Sequence, residues 1–151
     1  MDPGEIKTEV FFLPCLTSVE KEGSITNSGR WMQWRYAAAK PPRGPKGDGD
    51  IMVELFEKVR SLYEADGKFT EPIKNLRWDF VKDGKYDPHA IAKLINGYFE
   101  QDTTVKGKSF KKGTLVPSFA FLLDDGSTSS GNWLYCNSWT AKGNMAARRK
   151  R

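Results

Sequence analysis

The chain has 151 residues, enough for one domain with a buried core. Its hydrophobic fraction of 38% is low, but 13% aromatic residues let few side chains fill an interior. No apolar run approaches the roughly 18 residues of a membrane span, and the start, MDPGEIKTEVFFLP, carries acids where an export signal needs bases; neither direct membrane insertion nor a targeting segment is expected.

The net charge is +5, and Arg148, Arg149, Lys150 and Arg151 carry four of those charges. The rest of the chain is near neutral, with acids and bases interspersed, so no nucleic-acid partner is expected. Cys15 and Cys136 lie far apart, and His89 is the one histidine. A structural zinc site needs about four ligands and is excluded by spacing. The two cysteines read as unpaired small hydrophobes, with a Cys15–Cys136 disulfide as the alternative.

Glu5 to Leu13, EIKTEVFFL, reads as a strand ended by Pro14. Its continuously apolar end suits a strand covered on both faces of a parallel sheet. Residues 15–30 read mostly as loop, and Arg30 to Ala38, RWMQWRYAA, as a second strand. The Pro- and Gly-rich stretch Lys40 to Asp50 is a loop. A helix follows, with Asp50 as N-cap, Ile51, Leu55, Phe56, Val59, Leu62 and Tyr63 on one face, and Gly67 at its end. PIKNLRWDF reads as a short extended piece. Asp87 and Pro88 open a second helix whose stripe is Ile91, Leu94, Ile95, Tyr98 and Phe99. Lys106 to Lys112 is basic turn material. Ser118 to Leu123 and Asn132 to Asn137 read as two strands joined by an Asp-Gly loop, and the tail as a helical or irregular piece. Both ends read as cut from something larger.

No catalytic constellation emerges. His89 occupies the second position of a capped helix and reads as a surface imidazole. Asp124 and Asp125 are explained by turn chemistry. Two places carry a physical case for a ligand. In the loop Glu20 to Gln33, Lys21 and Arg30 suit phosphate oxygens, Glu22 and Asn27 suit amide or amino groups, and Gly23 admits close backbone approach. Asp48, ahead of the first helix, suits two parallel N–H donors such as a guanine edge, or alternatively a helix cap. Both places follow the end of the first strand, where open α/β sheets bind ligands.

EVFFLP, then EKEGSITNSGRWMQW, then PKGDGDI before an amphipathic helix resembles the large subunit of the molybdopterin oxidoreductases. The pattern E-x-G-[ST]-hydrophobic-x-N-x-x-R-x-x-Q followed by K-x-D is met by Glu22, Gly23, Ser24, Ile25, Asn27, Arg30 and Gln33, then Lys46 and Asp48. GRWMQWRY, WDFVKDGKYDPHAIAKLINGYF, GTLVPSFAFLLDDGSTSSGNWLY and GNMAARR narrow the resemblance to the α (major) subunit of respiratory-type formate dehydrogenases.

The resemblance implies an α/β fold: residues 1–66 as the end of a molybdopterin-guanine-dinucleotide-binding sheet domain, and 67–151 as a mixed α+β linking insertion. It implies a bis-molybdopterin guanine dinucleotide cofactor carrying molybdenum or tungsten, a [4Fe-4S] cluster, and oxidation of formate to carbon dioxide by the full-length parent. Lys21 and Asp48 would contact the guanine dinucleotide, with Glu22, Gly23, Asn27 and Arg30 beside them. The implied partners are the rest of the α subunit and an iron–sulfur β subunit, in the periplasm if the respiratory family is followed. The family's cluster cysteines, its molybdenum-ligating Cys or selenocysteine and the adjacent His and Arg have no counterpart here, so no catalytic or metal-binding residue is expected. The other reading is a non-catalytic nucleotide-binding or subunit-interaction module.

Overall fold

The computed structural model describes residues 2–29, 31–76, 78, 80–129 and 131–147. Within them the fold is mixed α and β, with three α-helices and short strands. The strands pair as four separate antiparallel hairpins rather than as one sheet.

Asp2 accepts from the Gly4 amide and closes a 3-10 turn over Pro3–Glu5. Beyond it the expected strand of residues 5–13 does not form. The segment is extended, but no neighbouring strand offers it a hydrogen-bond ladder, and Phe12 is left 83% exposed. Parallel pairing survives at one point, the bridge between Cys15 and Lys46. Leu16 N donates to Lys46 O at 2.9 Å and Lys46 N to Pro14 O at 3.2 Å.

The region read as loop holds β1, Gly23–Thr26, which pairs with β2, Met32–Arg35. Ile25 and Thr26 supply β-branched residues, and Asn27 closes the turn by accepting from Trp31 N at 3.1 Å. The helix α1, Asp48–Asp66, begins earlier than expected. Gly47 is its N-cap, so Asp50 falls in the first turn, where it accepts from the Tyr86 amide instead of capping. Gly67 ends α1 in the left-handed conformation, at φ 69°.

The stretch expected to be extended contains a single helical turn, α2, Glu71–Lys74. Pro72 in the first turn needs no N–H partner, which favours the turn over a strand. β3, Val81–Lys82, and β4, Lys85–Tyr86, form a hairpin across Asp83 and Gly84, both at positive φ. Asp87 then caps α3, Pro88–Asn96, by accepting from His89 N at 2.9 Å. Gly97, at φ 89°, stops α3 before Tyr98 and Phe99, which therefore leave the helical stripe.

The basic turn is a second such hairpin: β5, Thr103–Val105, and β6, Lys108–Phe110, turn at Lys106 and Gly107. The two strands expected at 118–123 and 132–137 are absent. Phe119–Phe121 is a 3-10 turn, and Asn132 folds the next stretch into turns by accepting from Leu134 N with its side chain and from Tyr135 N and Cys136 N with its carbonyl. In the tail, β7, Trp139–Thr140, pairs with β8, Gly143–Asn144.

The core is small. Phe99, Val105 and Val116 are buried, and Phe110, Phe121, Leu122, Leu123 and Cys136 pack on them. Burial pushes the Cys136 thiol pKa up, and Cys15 and Cys136 are both free thiols. Asn96, fully buried at the end of α3, fastens this core to the tail. Its Nδ2 donates to Gly97 O and Val116 O, and its Oδ1 accepts from Trp139 N. Among the described residues no helix is long and apolar enough to cross a membrane.

Asn96→Ala removes the side-chain partner of Val116 O and Trp139 N, while Gly97 O keeps its bond from Val116 N, and is expected to cost roughly 2 kcal/mol. Removing the α3 cap with Asp87→Ala is expected to cost about 1 kcal/mol. Urea unfolding of both variants checks the order; equal stability of Asn96→Ala and the parent chain would contradict it.

Candidate functional site

Two local structures bring the ligand candidates together. The first is the approach to β1. Thr17 donates both its amide and its hydroxyl to Glu20 Oε2, at 2.9 and 3.0 Å, and the Ala38 and Ala39 amides donate to Val19 O. These bonds fix the chain just before Lys21. The second is the start of α1, which the Cys15–Lys46 bridge draws alongside the same loop. Gly47 has no side-chain oxygen, so the N-cap makes no side-chain bond and the positive end of the helix is open.

Between them lies a cavity of about 570 Å³, walled by Lys21, Glu22, Gly23, Asp48, Gly49 and Tyr86 among others. Lys21 Nζ forms an ion pair with Asp48 Oδ2 across it, joining residues 27 apart in the chain. The Asp48 side chain is 59% exposed and so accessible from solvent. The Lys21 hydrogen bond holds the Asp48 carboxyl pKa below its ordinary value of 3.8; burial opposes this, and the Cys15 thiol and the Lys21 charge, each a lesser effect, reinforce it. On the far wall the Tyr86 phenol is pushed above its ordinary pKa of 10.0, first by burial and then by Asp87, Asp48 and Asp50.

Four acids face this space, which would repel an anion if all were free. Three are committed to the protein. Glu20 holds Thr17, Asp50 accepts from Tyr86 N at 3.0 Å, and Glu22 Oε1 accepts from Trp34 Nε1 at 2.9 Å and from His89 Nε2 at 2.8 Å. Asp48 alone pairs with a flexible-stemmed cation.

The sequence-predicted residues therefore separate. Lys21 and Asp48 meet, and Gly23 lines the same cavity. Glu22 also lines it, but its carboxylate is spent on Trp34 and His89. Asn27 closes the β1–β2 turn and is not part of the cavity wall. Arg30 lies outside the described residues. His89 is not the surface imidazole that its helical position suggested. It stacks on Trp34 with ring centroids 4.5 Å apart and meets the edge of Trp139 at 5.2 Å. α3 packs against β1 and β7, which leaves the His89 ring half-buried rather than free at the surface. Gly49 carried no sequence signal: a Cβ there would lie 2.4 Å from Cγ of the Tyr86 ring, closer than such atoms pack. No group of three His, Cys, Asp or Glu side chains among the described residues is arranged to hold a metal ion.

The site's geometry sits within a sequence of known relationship. No protein-family model matches the chain. The chain is 53% identical, over 99% of its length, to formate dehydrogenase subunit alpha of Megalodesulfovibrio gigas, covering 15% of that protein. It is 47% identical to formate dehydrogenase 2 subunit alpha (cytochrome c-553) of Nitratidesulfovibrio vulgaris, covering 14% of it. It is 40% identical to the nitrate-inducible formate dehydrogenase major subunit of Escherichia coli, covering 15% of it, and each match spans 99% of this chain. These are homologues, so the chain corresponds in sequence to a segment of the formate dehydrogenase large subunits. It spans about 15% of the length of the curated relatives it matches.

Because the Asp48 pKa is lowered in the folded chain, the stability contributed by its ion pair is present above the ordinary carboxylate range and lost as pH falls through the folded value. With both partners near the surface, that contribution is expected to be roughly 0.2–1 kcal/mol. Lys21→Met should raise the Asp48 carboxyl titration, followed by carbon NMR, towards 3.8. An unmoved titration would show that Lys21 does not hold the carboxylate in solution.

Proposed function

We propose that this chain supplies, within a formate dehydrogenase large subunit, a cradle for a guanine dinucleotide arm of a bis-molybdopterin guanine dinucleotide cofactor. The observation that carries the reading is the meeting of Lys21 and Asp48 across one solvent-open cavity at the start of α1. The donor set fits the group. The exposed Asp48 carboxylate suits the N1–H and 2-amino donors of guanine, which present two parallel N–H bonds. The Lys21 ammonium suits a phosphate oxygen, and the uncapped end of α1 favours negative charge. Gly23 keeps side-chain bulk out of the same wall.

When bound, the molybdenum or tungsten pterin supplies the redox centre at which formate gives up two electrons and a proton to become carbon dioxide. This chain's residues bind and orient the nucleotide end. The rest of the large subunit provides the metal ligands and the iron–sulfur cluster, and an iron–sulfur β subunit carries the electrons away. The names of the relatives support formate as the substrate of the whole protein.

The test is a graft in which the matched segment of the Megalodesulfovibrio gigas subunit is replaced by this chain. Lys21→Ala and Asp48→Asn should each lower the guanine nucleotide and molybdenum retained after purification by about tenfold, the scale of one lost charge-assisted bond. Full retention in both variants would overturn the assignment.

A further inference from the structure

The two walls of the Lys21–Asp48 cavity are held by one short segment that neither the sequence pattern nor the relatives' names assign to it. Tyr86, the last residue of β4, donates its amide to Asp50 Oδ1 at 3.0 Å, two residues from Asp48. Its ring also fills the space that Gly49 leaves open. His89, in the first turn of α3, donates Nε2–H to Glu22 Oε1 at 2.8 Å, one residue from Lys21. Between these two anchors Asp87 caps α3 through His89 N, and its own amide donates to Phe80 O at 2.8 Å. The cap leaves the two anchors little freedom to move relative to each other.

We propose that residues 86–89 form a positioning clamp that sets the separation of Lys21 from Asp48, with His89 as its positioning residue. The proposal rests on reading that pair as the nucleotide-contacting groups. His89 is better suited to this task than to plain packing. With Nε2–H given to Glu22, the ring's other nitrogen, Nδ1, is buried without a hydrogen-bond partner. An unmatched buried polar atom costs stability. A phenyl ring between Trp34 and Trp139 would avoid that cost but would have no N–H for Glu22. The imidazole N–H given to Glu22 ties α3 to the residue beside Lys21.

Two substitutions in the 151-residue chain separate positioning from packing. His89→Phe keeps a ring between the tryptophans and removes the N–H. His89→Gln keeps an N–H donor and removes the ring. The clamp predicts that His89→Phe lets the Asp48 carboxyl titration rise towards 3.8 and weakens GDP binding by about tenfold, while His89→Gln leaves both near the parent values. Asp50→Ala, which frees the other anchor without touching the aromatic stack, should raise the Asp48 titration in the same way. A purely packing role predicts the reverse order, with Phe harmless and Gln damaging. An Asp48 titration unchanged in His89→Phe and in Asp50→Ala would overturn the clamp. Failure of the parent chain to bind GDP would overturn the nucleotide reading instead, and the ligand-free titration would still decide the clamp.

Discussion

The Lys21–Asp48 ion pair is the contact around which the first half of the molecule is organised. For the pair to form, the chain before β1 must be fixed, and the start of α1 must be brought beside it. The Thr17–Glu20 turn meets the first requirement and the Cys15–Lys46 bridge meets the second. The pair itself adds little to folding, because exposed ion pairs are screened by water. Many internal bonds thus converge on a contact that contributes little stability, and that disproportion is what a binding site predicts.

Around the pair, polar groups with internal partners separate it from the rest of the surface. Glu20, Glu22 and Asp50 all face the cavity, and each is occupied by an N–H or O–H of the protein. Their charge is thereby partly offset, and their positions are fixed. The contacts of Glu22 with His89, Asp50 with Tyr86, and Thr26 with Tyr135 at 3.0 Å tie β1 and α1 to the later half of the chain. The geometry of the site therefore depends on residues far from it in sequence.

The sequence made some of this legible and hid the rest for identifiable reasons. The α1 and α3 patterns could be read because helical periodicity and the Asp87-Pro88 start are local signals. Lys21 and Asp48 could be picked because charge, glycine and the start of a helix are local too. Residues 5–13 misled because an apolar run shows a preference for burial but not whether a neighbour is present to bury it, and Val10 to Leu13 stay exposed here. The stretch 118–137 misled because Pro117 and the side chain of Asn132 favour turns over the strand pattern of the aromatics. Tyr98 and Phe99 fit the α3 stripe on paper, but Gly97 turned them out of it and made Phe99 the centre of the core. The position of His89 could not be read at all, since its partners Glu22, Trp34 and Trp139 come from other elements.

The most direct measurement of the central claim is a GDP titration of the nitrogen-15-labelled chain, with ADP as the control nucleotide. If Lys21 and Asp48 cradle a guanine nucleotide, GDP should shift the amides of residues 21–23 and 47–50 together, and ADP should shift them far less. Equal shifts from both nucleotides, or GDP shifts confined to other parts of the chain, would contradict the account.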